Sequence, residues 1–282
     1  MLLTLTAISL RAALAVATRG RSAGKAKLDL LDLPQFTRDE LGLHGLNIST
    51  DLLTGMPREK IERLRERADK AGCACLLLIE SDTQPLGDYD EAAGAGAIER
   101  LHRVVQAAHV LGCSAVALRP SGEDQPAIFQ RTIDRLRKVV EKAERLEMNL
   151  LISPGPGLAS TPERITELIK KVGGFRVGTF PDFQAAAASP DPVGYLRRLT
   201  PYASVVSAST VKFAAEKGDE GTGPFAHSPY ELGPLVEAIL SVGYDGTLAI
   251  DYRGAGDAKL GVVRSRVALE RLLMVTPEDA EE

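Results

Sequence analysis

Cysteine is scarce in this chain of 282 residues, with only Cys73, Cys75 and Cys113 present. An odd number of thiols lying in apolar runs argues against a disulfide framework or a zinc knuckle, and reads as reduced core thiols of a cytoplasmic protein. Positive charge is not in excess: 34 Lys and Arg face 38 Asp and Glu, a formal net charge of −4. No global positive field exists to hold a polyanion, which argues against nucleic acid as a partner. No window offers the roughly 18 uninterrupted apolar residues of a membrane helix, so a membrane partner is not expected. The apolar opening MLLTLTAISLRAALAVATRGRS has no basic start and is interrupted by Arg11, so it reads as a first strand and not as a secretory leader. Also missing is the glycine fingerprint of a dinucleotide fold, because LRAALAVATRG follows the first strand where phosphate-cradling glycines would stand.

What the chain does have is alternation. Apolar runs of strand length fall at 3–9, 45–49, 74–79, 115–119, 149–153, 175–180, 203–207 and 247–252. Between them lie amphipathic segments such as PREKIERLRERADKAG and RTIDRLRKVVEKAERLE, with Leu, Ile and Val at three- and four-residue spacing. Thr161-Pro162 and Ser228-Pro229 place a hydroxyl at an N-cap with Pro at the first helical position, and Ser228 with Glu231 fits a capping box. Gly72, Gly112 and Gly173 stand where helices should end. The Gly-Ala-rich segment within 91–98 reads as a flexible surface loop. Eight strands alternating with about eight helices, without a linker, predict one domain over 1–282, a single (β/α)8 TIM barrel of the α/β class.

In such a barrel the chemistry sits at the C-terminal strand ends. Those positions hold Asn47, Ser49, Glu80, Asp82, Arg119, Ser153, Asp182, Ser207, Ser209, Lys212, Asp251 and Arg253. For any one of them a hydrogen bond to a neighbouring loop competes with function, but their grouping around one mouth favours function. Of the four histidines, His102 and His109 fall on an outer helix face and His44 at the barrel bottom. His227, in the long segment after strand seven that also carries Lys217, is the one that could reach the mouth.

From LDLLDLPQFTRDELGLHGLNIST, through NLLISPGPGLASTPERITELIKKVGGFRVGTFPDFQ, to VVSASTVKF and GYDGTLAIDYRGAGD, nearly the whole chain resembles the sugar phosphate isomerase/epimerase group of xylose isomerase-like TIM barrels. That resemblance implies one divalent metal (Mn, Mg, Co or Zn) held by a glutamate ending strand five, an aspartate ending strand six, a histidine at strand seven and a glutamate ending strand eight. It also implies isomerisation, epimerisation or dehydration of sugars beside a metal-polarised carbonyl. Asp182 in PDF occupies the strand-six position, and Asp251 stands in place of the strand-eight glutamate. Ser153 falls at the strand-five glutamate, Ser207 replaces the histidine, Ser209 a common lysine, and Asn47 a frequent glutamate on strand two. Neutral hydroxyls are poor ligands for hard cations, so the expected cofactor is either none or a weakly bound divalent metal at Asp182 and Asp251.

The expected function is that of a sugar phosphate isomerase/epimerase-like protein, acting on or binding a sugar or polyol derivative at the barrel mouth. Asp182 and Asp251 are the candidate catalytic residues. Asn47, Glu80, Ser153, Ser207 and Ser209 are expected to meet hydroxyls, and Arg119, Lys212 and Arg253 a phosphate or carboxylate. The alternative is a catalytically silent carbohydrate- or partner-binding barrel. An apurinic endonuclease on the same barrel would need a histidine-rich zinc cluster and a basic face, which this sequence lacks. Partners are thus a small-molecule sugar or sugar phosphate, with a homodimer left open.

Overall fold

Residues 1–14, 27–214 and 226–274 are described by the structure, a computed structural model. Eight parallel strands share one curved sheet: β1 (Leu2–Thr6), β2 (Gly45–Ser49), β3 (Ala74–Ile79), β4 (Ala115–Leu118), β5 (Asn149–Ile152), β6 (Val177–Thr179), β7 (Val205–Thr210) and β10 (Thr247–Tyr252). Two short strands, β8 (Lys212–Ala214) and β9 (Ala226–Ser228), pair separately as an antiparallel hairpin. The order across the sheet is β6-β5-β4-β3-β2-β1-β10-β7. Bridges Thr179↔Ala203 and Asp182↔Ser207 join its two edges, which closes the ring expected of a TIM barrel.

Side-chain alternation along each strand divides the interior into two cores. Leu46, Ile48, Leu78, Val116, Leu118, Leu150, Ile152, Val206, Leu248 and Ile250 face outward into the layer between strands and helices. Their alternate neighbours face the barrel axis, where Leu77, Ala115, Ala117, Leu151, Phe180, Val205 and Ala249 form a second cluster. Each fully buried Leu or Ile contributes roughly 1.5–3 kcal/mol, so the outer layer carries most of the stability. The helices bury one stripe each: Pro126–Arg145 turns Ile128, Phe129, Ile133, Leu136, Val139, Val140 and Ala143 inward. Pro162–Val172 starts where expected, with the Thr161 hydroxyl accepting from the Arg164 N–H at 3.2 Å. Helices end at Gly72, Gly112 and Gly173. All three cysteines are buried and unbridged, and burial pushes the Cys73 and Cys75 thiols up to about 12.

Several boundaries and one whole segment differ from expectation. β1 stops at Thr6, and residues Ala7–Leu10 form a 3-10 turn in which the Ser9 hydroxyl accepts from the Tyr252 N–H at 2.9 Å. β6 starts at Val177, not at 175, because Gly173 and Gly174 turn the chain with φ of 75° and 95° and leave Phe175 fully exposed. β7 begins later than 203 because Thr200–Tyr202 is a further 3-10 turn. The Gly-Ala-rich stretch is helix and not loop: Asp90 caps Glu91–Leu111, and Gly94 leaves room for the buried Arg135 guanidinium to lie against the helix. The Ser228 capping box does not form. Ser228 ends β9, the Tyr230 hydroxyl donates to the Ser209 carbonyl, and the helix starts only at Gly233, with Pro234 in its first turn. Among the described residues no helix is long and apolar enough to cross a membrane.

Candidate active site

A cavity of about 440 Å³ opens at the C-terminal ends of the strands. Its wall contains Glu80, Arg119, Ser153, Asp182, Asp251 and Arg253 from the expected set, with Ser49. A wider groove of about 790 Å³ continues from it over the loops after β5 and β6, sharing Pro154 and Ala185, but the convergent charges lie in the smaller cavity.

The centre of the site is a three-membered ion cluster. Asp182 follows β6 as the N-cap of the short helix Phe183–Ala187, where its Oδ1 accepts from the Ala185 N–H at 2.9 Å. Asp251 is on β10, at the position paired with Ser209 of β7. Arg253, two residues beyond Asp251, curls back between the two carboxylates. Its Nε donates to Asp251 Oδ2 at 2.8 Å and its Nη2 to Asp182 Oδ2 at 2.5 Å, while Nη2 also lies 2.7 Å from Asp251 Oδ2 as an ion pair. Its Nη1 reaches Asp182 Oδ1 at 3.2 Å and Gln184 Oε1 at 2.8 Å. Four hydrogen bonds and the Nη2–Asp251 ion contact engage all three guanidinium nitrogens within the protein. The fork expected of Arg253 toward a ligand is therefore spent.

The two carboxylates differ in what they have left. Asp182 Oδ1 accepts from Ala185, Ser209 and Arg253, so it is anchored on every side. Asp251 Oδ1 is buried without a hydrogen-bond partner and belongs to a residue on the cavity wall. Burial raises the Asp251 carboxyl above its ordinary pKa, against the pull of Arg253, and Asp182 adds to the rise. Burial alone would lower the pKa of Arg253, but Asp182 and Asp251 outweigh it and hold the guanidinium above its ordinary value.

Across the cavity Arg119 is exposed, its Nε donating to the Pro154 carbonyl at 2.9 Å. Gly155 allows this, since a Cβ there would stand 2.5 Å from Arg119 Cδ. The terminal nitrogens of Arg119 have no partner among the described residues. Glu80 also lines the cavity, but Arg100 Nε at 2.9 Å and the Thr50 hydroxyl at 3.3 Å occupy its oxygens.

Other expected residues lie beneath or beside the site. Asn47 Nδ2 donates to the Thr4 hydroxyl at 2.8 Å, below the cavity, while its Oδ1 is buried and unpartnered. Ser207 is buried at the seam where Asp182 bridges β7. The Ser209 hydroxyl receives the Gln184 N–H at 2.8 Å and donates to Asp182, bracing that loop. Lys212 is exposed on the hairpin. His227 is a strut: Nε2 accepts from the Val211 N–H at 2.8 Å and Nδ1 donates to the Tyr230 carbonyl at 2.7 Å. Lys217 lies outside the described residues. Two polar wall residues were not foreseen, Thr6 and Gln184. Gln184 was within reach of sequence reasoning as the residue after PDF, and Thr6 as an inward position of the first strand.

A divalent ion needs several anionic or imidazole donors with free lone pairs. Asp182 and Asp251 present theirs to Arg253, and Ser153, Ser207 and Ser209 supply only hydroxyls. Among the described residues no three His, Cys, Asp or Glu side chains converge on a point that could hold a metal. This donor set does not fit the ion the resemblance implies.

The sequence matches the profile of the family described as xylose isomerase-like TIM barrel over residues 39–272. The chain belongs to that family. No curated protein matches it. Among solved structures this xylose isomerase-like barrel is similar to an L-ribulose 3-epimerase, with a TM-score of 0.78 and 16% identity over 100% of this chain and 97% of that one. It is also similar to the 3-keto-D-glucoside 4-epimerase of E. coli, with a TM-score of 0.68 and 14% identity over 87% and 94% of the two chains. A xylose isomerase-like TIM barrel protein from Mycobacterium smegmatis in complex with magnesium gives a TM-score of 0.64 and 18% identity over 86% and 87%. At such identities these likenesses show the fold.

Proposed function

We propose that this barrel is an isomerase or epimerase-like protein for an anionic sugar derivative, with Arg119 receiving the anionic group and Asp251 acting as the base. The observation that carries the reading is the pairing, on the wall of one cavity, of a free guanidinium fork at Arg119 with Asp251, a carboxylate one of whose buried oxygens has no partner. Moving a proton at the carbon beside a carbonyl needs a base within hydrogen-bond reach, and burial favours Asp251 taking that proton up. The hydroxyls of Thr6, Ser49 and Ser153 face the same space and suit a polyhydroxylated ligand. The epimerase names of the structural relatives support the substrate class. The donor set gives no step to a divalent ion.

Calorimetric titration of D-fructose and D-fructose 6-phosphate against wild type and Arg119→Met tests the binding half. The phosphate should bind at least tenfold tighter to wild type, and the advantage should vanish in Arg119→Met. Equal or absent binding in all four combinations refutes it. Incubation with the phosphate in D2O tests the chemistry: deuterium should enter beside the carbonyl with wild type and not with Asp251→Asn. No exchange with wild type would leave a binding barrel without catalysis.

A further inference from the structure

Asp182 and Asp251 approach from strands on either side of β7, each at most 7% exposed, and their Oδ2 atoms meet at a single nitrogen, Arg253 Nη2, at 2.5 and 2.7 Å. Two buried carboxylates so close require a positive charge between them. The chain supplies it locally, because residues two apart on an extended segment share a face and Arg253 stands two beyond Asp251. The guanidinium is held there by Gln184 as well, so its position is fixed from three residues. The one oxygen of the pair without a hydrogen-bond partner, Asp251 Oδ1, is buried within a residue that lines the cavity.

We propose that Arg253 is a tethered cation that fills the seat between Asp182 and Asp251, so that this carboxylate pair is half neutralised by its own chain and the seat excludes a divalent ion. The proposal concerns the protein without ligand and holds whatever the cavity binds. A guanidinium carries one positive charge and spreads it over three nitrogens, whereas a divalent ion would bring two charges to one point. One carboxylate charge of the pair is therefore left uncompensated, on the residue with the free oxygen. Removing the guanidinium while keeping both aspartates should turn the seat into a cation site. Replacing it by lysine keeps a positive charge on a shorter tether and should leave the seat filled.

The experiment is Mn²⁺ titration of the metal-stripped full chain, followed by the electron paramagnetic resonance signal of free Mn²⁺, for wild type, Arg253→Ala and Arg253→Lys. Wild type and Arg253→Lys should bind no stoichiometric Mn²⁺ at concentrations up to 1 mM, a range set so that only sites worth more than roughly 4 kcal/mol register. Arg253→Ala should bind one equivalent at least tenfold tighter than wild type, and adding Asp182→Asn to it should abolish that binding. Stoichiometric Mn²⁺ on wild type overturns the proposal without any variant, as does a folded Arg253→Ala that binds Mn²⁺ no better than wild type. If Arg253→Ala does not fold, the comparison of wild type with Arg253→Lys decides: tighter Mn²⁺ binding by the lysine variant than by wild type overturns it, and metal-blindness of both upholds it.

Discussion

Arg253→Met removes the charge and the donors from the ion cluster while keeping much of the side-chain volume, and its effect on stability can be worked from the geometry. Breaking a fully buried ion pair by deleting one partner costs about 3–5 kcal/mol, because a desolvated charge is left behind. Exposed pairs are worth about 0–1 kcal/mol. Here the carboxylate side chains are 11% and 10% exposed and the guanidinium 38%, so the cluster lies between those limits but nearer the buried one. Four hydrogen bonds also go, and Asp251 would then have no donor on Oδ2 in addition to its unpartnered Oδ1. A loss of about 2–3 kcal/mol follows. Urea unfolding at pH 7.5, monitored by circular dichroism, reads it as a fall in midpoint at unchanged slope. Two neighbouring carboxylates gain relief by sharing one proton, so the loss should shrink at pH 5. A loss below about 0.5 kcal/mol at pH 7.5 would mean the cluster is solvated like an ordinary surface pair, and the reasoning that Arg253 is committed to the two aspartates would fail.

The helix Glu91–Leu111 contains a matched pair of glycines. Gly94→Ala should destabilise by about 1–2 kcal/mol, since a methyl there overlaps the Arg135 guanidinium, pinned by the Leu86 and Asp88 carbonyls, and overpacking exceeds the helix-propensity gain. Gly96→Ala meets nothing within 4 Å and should stabilise by about 0.5–1 kcal/mol; thermal melts of both variants check the opposite signs. Burial lowers the pKa of His227, against the Tyr230 carbonyl, so the fold disfavours its protonation. Its stabilisation is complete above the ordinary value of 6.5 and is lost as pH falls from there toward the lowered folded value. Wild type should therefore lose more melting temperature between pH 7 and pH 5 than His227→Gln, and parallel curves would remove His227 as the cause.

The barrel was legible because its signals are local and repeated. Short apolar runs of strand length recurring between amphipathic helices mark the strands, and Thr161 with Pro162 marks a helix start that tertiary contacts leave intact. Ser228 with Glu231 carries an equally good local signal, yet it is overridden by the long-range bond from Tyr230 to Ser209. The Gly-Ala segment misleads for the same reason: what makes Gly94 useful is Arg135, on the next helix. In the site, strand-end position alone brings Asp182 and Asp251 to one cavity. The i,i+2 spacing of Asp251 and Arg253 is a local signal, but the commitment of Arg253 to Asp182 could not be read, because Asp182 is 71 residues away. Lys212 falls outside the cavity because β7 ends at Thr210 and the chain leaves the barrel as the exposed hairpin.

Sheet order also decides how charge is laid out across the mouth. In the ring β6-β5-β4-β3-β2-β1-β10-β7 the strands β4 and β10 are four apart, which in a closed barrel of eight places them on opposite walls. Arg119 follows β4 with its fork open, and Asp251 is on β10 with one oxygen buried and unpartnered. Between them Glu80 is cancelled by Arg100, and Arg253 cancels one of the two aspartates that flank it. The mouth is thus a dipole, positive on the β4 wall and negative on the β10 wall, with neutral hydroxyls of Ser49 and Ser153 between. Under the proposed function, a ligand that follows this field would point its anionic end at Arg119 and turn its other end, with its carbonyl and acidic carbon, toward Asp251. Had Arg253 been free to bind the anion, both the anion and the base would have shared one wall, and repulsion from Asp182 and Asp251 would have opposed binding. In the proposed function, locking Arg253 between the aspartates is therefore what separates the anchoring end of the cavity from the end where a proton would move.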